Sequence, residues 1–186
     1  KIVLENLDSN NIYVSTTGKL SRELYFLREK HDELHDKDFL NIGAMGHVSS
    51  IALGIALGSK QRKIICLDGD GSLIMHLGAI GAIGESECIN FGHIVFNNGK
   101  HDSVGGQPTI ADNIKIPNIA MSMQYNWSKR VNNINELNTV ISLLNEIEGP
   151  WLLEIKIKQG EDKNLGRPKT TPQDSINAFK KNLQDG

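Results

Sequence analysis

The stretch that decides the fold is CLDGDGSLIMHLG, residues 66–78. It begins as an apolar run, continues with Asp70 between two glycines, and ends in a helical pattern. Glycines let the chain turn tightly, and backbone N–H groups of Gly71 and Ser72 at a helix start suit a phosphate. Asp70 alone would repel that phosphate unless a divalent cation bridges the two. A plain turn is the alternative for an isolated GDG triplet.

Apolar runs alternate with helical patterns along the whole chain. Strands are predicted at 12–15, 38–42, 63–68, 92–98, 119–123 and 151–158. Helices are predicted at 21–30, 47–58, 72–86, 134–148 and 171–183. Strands that alternate with helices form a mostly parallel sheet with both faces covered. The predicted fold class is therefore α/β, a three-layer sandwich with a mostly parallel sheet flanked by helices.

The composition fits one globular domain over residues 1–186, with 39% hydrophobic and 23% charged residues. The net charge of −2 and the mixed charge pattern argue against a nucleic-acid partner. No apolar stretch is long enough to suggest a membrane span or a signal peptide, so we expect a cytoplasmic protein. The two cysteines form no metal-binding pattern, which argues against a structural zinc site.

A second polar motif follows the fourth predicted strand. Asn98 comes 28 residues after Asp70, and this interval holds one helix and one strand. Both residues should therefore reach the same edge of a parallel sheet, where the carboxyl ends of strands bind ligands. Carboxylate, amide and backbone carbonyl oxygens are suitable Mg²⁺ ligands. The two motifs together predict a magnesium site that holds a phosphate.

Several segments resemble the thiamine diphosphate enzymes, in which a GDG motif followed by NN binds Mg²⁺ and the cofactor diphosphate. They are STTGK, RELYFLRE, DFLNIGAMGHVSSIALGIAL, CLDGDGSLIMHLGAIGAIG, VFNNGKHDSVGGQPT and LGRPKTTP. The resemblance covers nearly the whole chain and is to the cofactor-diphosphate domain of that superfamily. HDSVGGQPT is its most discriminating segment, because sulfopyruvate decarboxylases usually carry an aromatic-glycine pair where His101 and Asp102 stand here. The segment favours the phosphonopyruvate decarboxylases.

The resemblance implies a thiamin diphosphate-binding fold with thiamine diphosphate and Mg²⁺ as cofactors. The side chains of Asp70 and Asn98 and the carbonyl of Lys100 would ligate Mg²⁺. Met45 would wedge between the two rings of the cofactor. The residues expected to bind the cofactor are Thr16, Thr17, Gly18, Gly43, Met45, Gly69, Gly71, Ser72 and Asn98.

The implied reaction is the decarboxylation of a 2-oxo acid, here 3-phosphonopyruvate to phosphonoacetaldehyde and CO₂. His101 and Asp102 are the candidate catalytic residues, although a hydrogen-bonded turn is an alternative for both. Lys19 and Lys100 are the first candidates for binding the substrate phosphonate. Further cations considered for that role are Arg22, Arg130 and Arg167.

Two alternatives remain open. The chain could be a subunit of a sulfopyruvate decarboxylase or of another 2-oxo acid decarboxylase, or a non-catalytic cofactor-binding fragment or subunit. In the superfamily, a separate pyrimidine-binding domain supplies the glutamate that activates the cofactor, and no glutamate of this chain matches it. We therefore expect a partner domain or subunit, a homo-oligomer, and an isolated chain that is inactive.

Overall fold

The computed structural model describes residues 1–160 and 165–185. Its strands are β1 (Ile12–Ser15), β2 (Asp38–Leu40), β3 (Ile64–Gly69), β4 (Phe91–Asn97), β5 (Trp127–Val131) and β6 (Trp151–Lys156). They form one six-stranded sheet in the order β2-β1-β3-β4-β6-β5, and every neighbouring pair is parallel. The predicted parallel α/β sheet is confirmed.

Helices connect and cover the strands. They are α1 (Ile2–Asn6), α2 (Lys19–Lys30), α3 (Val48–Gly58), α4 (Asp70–Met75), α5 (Ala79–Glu85), α6 (Ile116–Ser122), α7 (Ile134–Val140) and α8 (Pro172–Asp185). Short 3-10 turns span Asp102–Val104 and Ser142–Asn145. In the described part of the chain, no helix is both long and apolar enough to cross a bilayer.

The sheet has a hydrophobic core on each face. Ile64 and Cys66 of β3 pack into one core with side chains of α3, α5, α6 and α8. Ile65 and Leu67, which alternate with them, pack into the other core with side chains of α1, α2 and α7. Because successive residues of a strand point to opposite faces, a strand buried on both sides needs apolar residues throughout. This explains the continuous apolar run that precedes Asp68.

The strand predicted at 119–123 is wrong, because this segment lies largely in α6. Ile116 and Ala120 are fully buried and lie one helical turn apart, which is helix periodicity rather than strand periodicity. The fifth strand is instead β5, at the edge of the sheet. Only Val131 of β5 is fully buried, so its sequence WSKRV lacks the apolar run that marked the other strands.

Candidate functional site

The two predicted metal ligands come together at the carboxyl edge of the sheet. β3 and β4 pair in parallel up to Gly69 and Phe96, so Asp70 and Asn98 leave adjacent strands at nearly the same level. Both residues line the same cavity. The sheet register therefore produces the juxtaposition that the sequence predicted.

Asp70 is 2% exposed, and burial raises the pKa of its carboxyl above the ordinary value. Hydrogen bonds from the Thr109 hydroxyl, at 2.5 Å, and from the backbone N–H groups of Asn98 and Gly71 oppose that shift. Burial destabilises the carboxylate anion, and a bound cation would offset this cost. The carboxylate, the Asn98 amide and the Lys100 carbonyl form a set of oxygens that fits a hard cation such as Mg²⁺.

The loop after β4 already holds the Asn98 side chain in place. Its Nδ2 donates to Asp102 Oδ2 at 2.7 Å, and its Oδ1 accepts the backbone N–H of Lys100 at 3.0 Å. Both ends of the amide are thus engaged within the loop. The carboxylate of Asp102, a candidate catalytic group, is a partner of a predicted metal ligand.

Hydroxyl groups join the loops that follow β1 and β2 to each other and to the first turn of α4. The Thr16 and Ser72 hydroxyls lie 2.9 Å apart, and the Gly46 N–H donates to Ser72 Oγ at 3.2 Å. The Gly43 N–H donates to Thr17 Oγ1 at 3.0 Å. These contacts bring the predicted cofactor-binding loops to one place at the sheet edge.

Two glycines leave room for the segment that contains His101. A Cβ atom on Gly71 would overlap the His101 imidazole, and one on Gly18 would overlap the Ser103 hydroxyl. Gly18 also has a φ of +101°, which side-chain-bearing residues rarely adopt. A Cβ on Gly69 would meet nothing within 4 Å. The segment 101–103 therefore lies directly against the predicted diphosphate loops.

One cavity of about 960 Å³ contains most of the predicted site. Its lining includes Thr16, Thr17, Lys19, Met45, Gly69, Asp70, Gly71, Ser72, Asn98, Lys100, His101 and Asp102. Gly18 and Gly43 are the predicted site residues that do not line it. The volume lies within the range of small-molecule sites.

Sequence reasoning missed the buried residues that support this edge. Glu154 of β6 accepts hydrogen bonds from Asn97 Nδ2 and Arg130 Nε, each at 2.6 Å. Arg130 also donates to the Ile114 carbonyl at 3.0 Å, so its guanidinium is bound within the fold and not available for a phosphonate. A glutamate within the apolar strand WLLEIK was the signal that could have indicated this network.

A second buried polar cluster lies below the GDG turn. The ring nitrogens of His93 lie 3.4 Å from Asp68 Oδ2 and 3.4 Å from the Tyr125 hydroxyl. Asp68 Oδ1 accepts the N–H of Gly69 at 2.9 Å. Burial raises the pKa values of the Tyr125 hydroxyl and of the neighbouring Cys66 thiol. This cluster connects β3 and β4 with the loop after α6.

Comparison with known proteins assigns the chain to a family independently of the site geometry. The model of the family described as "Thiamine pyrophosphate enzyme, C-terminal TPP binding domain" matches residues 16–155. Phosphonopyruvate decarboxylase of Streptomyces viridochromogenes is 35% identical over 178 residues, which cover 96% of this chain and 43% of that protein. Sulfopyruvate decarboxylase subunit beta of Methanothermobacter thermautotrophicus is 30% identical over 151 residues, covering 81% of this chain and 76% of that subunit.

Solved structures support the fold. Benzoylformate decarboxylase from Polynucleobacter necessarius superposes with a TM-score of 0.68 at 17% identity, over 87% of this chain and 32% of that one. At this identity the likeness extends to the fold alone. The chain spans less than half the length of the phosphonopyruvate decarboxylases that it matches.

Proposed function

Since this chain belongs to the thiamine pyrophosphate enzymes, as their C-terminal TPP binding domain, we propose that it is the cofactor-binding half of a decarboxylase that converts 3-phosphonopyruvate to phosphonoacetaldehyde and CO₂. The observation that carries the proposal is that Asp70 and Asn98 follow adjacent parallel strands and line one cavity together with Thr16 and Ser72. Asp70, Asn98 and the Lys100 carbonyl would hold Mg²⁺. Thr16, Gly71 and Ser72 would contact the diphosphate, and Met45 and Gly43 would contact the rings.

When bound, thiamine diphosphate supplies the carbanion and the electron sink for the decarboxylation of a 2-oxo acid. The residues of this chain bind and orient the cofactor, and the buried floor of the site limits access of water. His101 lies against Gly71 and lines the cavity, where its imidazole could move a proton near neutral pH. Its catalytic role remains a prediction, as does that of Asp102.

The assignment of the substrate has two supports. The 35% identity to a phosphonopyruvate decarboxylase extends over 96% of this chain. Lys19 and Lys100 also line the cavity that contains the predicted metal ligands, and ammonium groups suit a phosphonate anion. Both lysines are proposed to bind the substrate.

We further infer that a pyrimidine-binding domain or subunit supplies the activating glutamate. The similarity to proteins named as beta subunits supports the need for a partner. We propose a homo-oligomeric, cytoplasmic enzyme with its site between domains.

A sulfopyruvate decarboxylase is the second candidate. The observation that favours it is the 30% identity to the Methanothermobacter sulfopyruvate decarboxylase beta subunit over 81% of this chain. The third candidate is a protein that binds the cofactor without turnover. Cofactor binding without turnover of any substrate in the test below would support it.

The test uses the complete enzyme, that is, this chain together with its pyrimidine-binding domain or subunit. We expect CO₂ and phosphonoacetaldehyde from phosphonopyruvate, and much slower turnover of sulfopyruvate and pyruvate. Asp70→Asn should abolish the Mg²⁺-dependent binding of thiamine diphosphate, because the anionic metal ligand is lost. Faster turnover of sulfopyruvate would overturn the substrate assignment, and unchanged cofactor affinity in Asp70→Asn would overturn the metal assignment.

A further inference from the structure

The loop after β4 folds back on itself and returns the chain to Asp70. The Thr109 N–H donates to the Gly99 carbonyl at 2.9 Å, and the His101 N–H donates to the Gln107 carbonyl at 2.9 Å. Lys100 and Pro108 form an antiparallel bridge between these two contacts. The loop 99–109 is therefore a closed hairpin, which we call the return loop.

Thr109, at the end of the return loop, contacts the first predicted metal ligand. Its hydroxyl donates to Asp70 Oδ2 at 2.5 Å, and Thr109 Oγ1 itself accepts the N–H of Ala111 at 3.3 Å. Since an ionised carboxylate can only accept, the hydroxyl proton of Thr109 is directed to Asp70. This arrangement holds one oxygen of Asp70 in place.

Asp102, in the middle of the return loop, contacts the second predicted ligand. A carboxylate can only accept, so the group of Asn98 that faces it at 2.7 Å must be the NH₂. This settles which end of the amide is the oxygen. The oxygen then turns to the side where the Lys100 N–H meets it at 3.0 Å.

We propose that Thr109 and Asp102 are positioning residues that set the orientation of Asp70 and Asn98 before the cation binds. This rests on the proposed Mg²⁺ site. Partners that orient metal ligands typically change metal affinity by about 10- to 100-fold when they are removed. The return loop thus links the segment HDSVGGQPT to the metal site through hydrogen bonds with two ligands.

The first test is Thr109→Val in the complete enzyme, with Mg²⁺ affinity measured by calorimetry in the presence of thiamine diphosphate. We expect affinity to fall by about 10- to 100-fold, and kcat at saturating Mg²⁺ to fall less. Thr109→Ser keeps the hydroxyl and should restore most of the affinity. Thr139→Val is the matched control, because Thr139 is exposed on α7 and donates only to the Glu136 carbonyl.

The second test separates positioning from proton transfer at Asp102. Asp102→Asn retains an oxygen that can accept from Asn98, so Mg²⁺ affinity should stay within about threefold of the wild type, whereas Asp102→Leu should lose about tenfold. A large loss of kcat in Asp102→Asn at unchanged Mg²⁺ affinity would overturn the positioning role and favour a catalytic one.

Asp70→Asn, measured in parallel, separates this proposal from the metal assignment. If Asp70→Asn weakens Mg²⁺ binding and Thr109→Val does not, the positioning role of Thr109 is wrong while the site stands. If neither variant changes Mg²⁺ affinity, the proposed site itself is wrong.

Discussion

At the scale of single residues, Glu154 helps to fix the end of β4. It is fully buried in β6, and its carboxylate accepts hydrogen bonds from Asn97 and Arg130. A buried carboxylate that loses its cation is strongly destabilising, whereas removing both charges is often close to neutral. The network ties β4, β5 and β6 together next to Asn98, so it supports the site without contacting it.

Arg130→Met should therefore lower the free energy of unfolding by about 2 to 3 kcal/mol, because Glu154 is left without its cation. Adding Glu154→Met should recover part of this loss; the recovery is incomplete because Asn97 then lacks its acceptor. Urea unfolding measures both effects. Lys129→Met, at an exposed neighbouring position of β5, is the control, and an equal loss in the two single variants would contradict the prediction.

At the scale of elements, the glycines of α5 decide how closely it packs on the chain after α6. A Cβ on Gly84 would overlap the backbone carbonyl of Met123, whereas one on Gly81 would lie 3.6 Å from the Met123 sulfur, an ordinary contact. Glycines recur at every third position at 78, 81 and 84, and at Gly84 the close contact is to Met123 of the same chain. Gly78 has no such neighbour within 4 Å.

Gly84→Ala should destabilise the protein by about 3 kcal/mol, because backbone cannot move aside as a flexible side chain can. Gly81→Ala should be neutral or stabilising by up to about 1 kcal/mol, since alanine favours a helix and meets no obstacle. Urea denaturation of the two variants makes a matched pair. Similar stabilities for both would show that α5 can shift away from Met123, and the packing argument would be wrong.

At the scale of the whole molecule, the two cores keep several titratable groups away from water. Burial raises the pKa of the Cys66 thiol well above its ordinary value and raises the pKa of Tyr13 to about 12. In the unfolded chain a thiol ionises near pH 8.5 and a tyrosine near pH 10. Above these values the unfolded state binds fewer protons than the native state, so stability falls as pH rises.

Between about pH 8.5 and 10 the free energy of unfolding should fall, with Cys66 contributing up to about 1.4 kcal/mol per pH unit. Cys66→Ala should flatten this dependence, although it lowers stability at neutral pH by leaving a cavity. Cys88→Ala should flatten it less, because burial raises the pKa of Cys88 to a smaller extent. Denaturant unfolding at several pH values checks this, and an unchanged slope in Cys66→Ala would contradict it.

The sequence by itself determined the order of the main strands and helices, the parallel sheet, and the meeting of Asp70 with Asn98. The elements follow from local periodicity, which residues close together in the sequence reveal. The meeting of Asp70 with Asn98 follows because the carboxyl ends of parallel strands lie at the same edge of a sheet. β5 was not predicted because it lies at the edge of the sheet and pairs only with β6. Most of its side chains are only partly buried, so its sequence needs no continuous apolar run. The single helix predicted at 72–86 is likewise two helices in the structure, α4 and α5.

Only the tertiary structure decided what orients the site. Thr109 lies 39 residues from Asp70 along the chain, and Glu154 lies 57 residues from Asn97. No local pattern relates such residues, because their contact depends on how the return loop closes and how β6 inserts between β4 and β5. The sequence therefore determined which atoms could hold a cation, and the packing of distant segments decided which hydrogen bonds orient them.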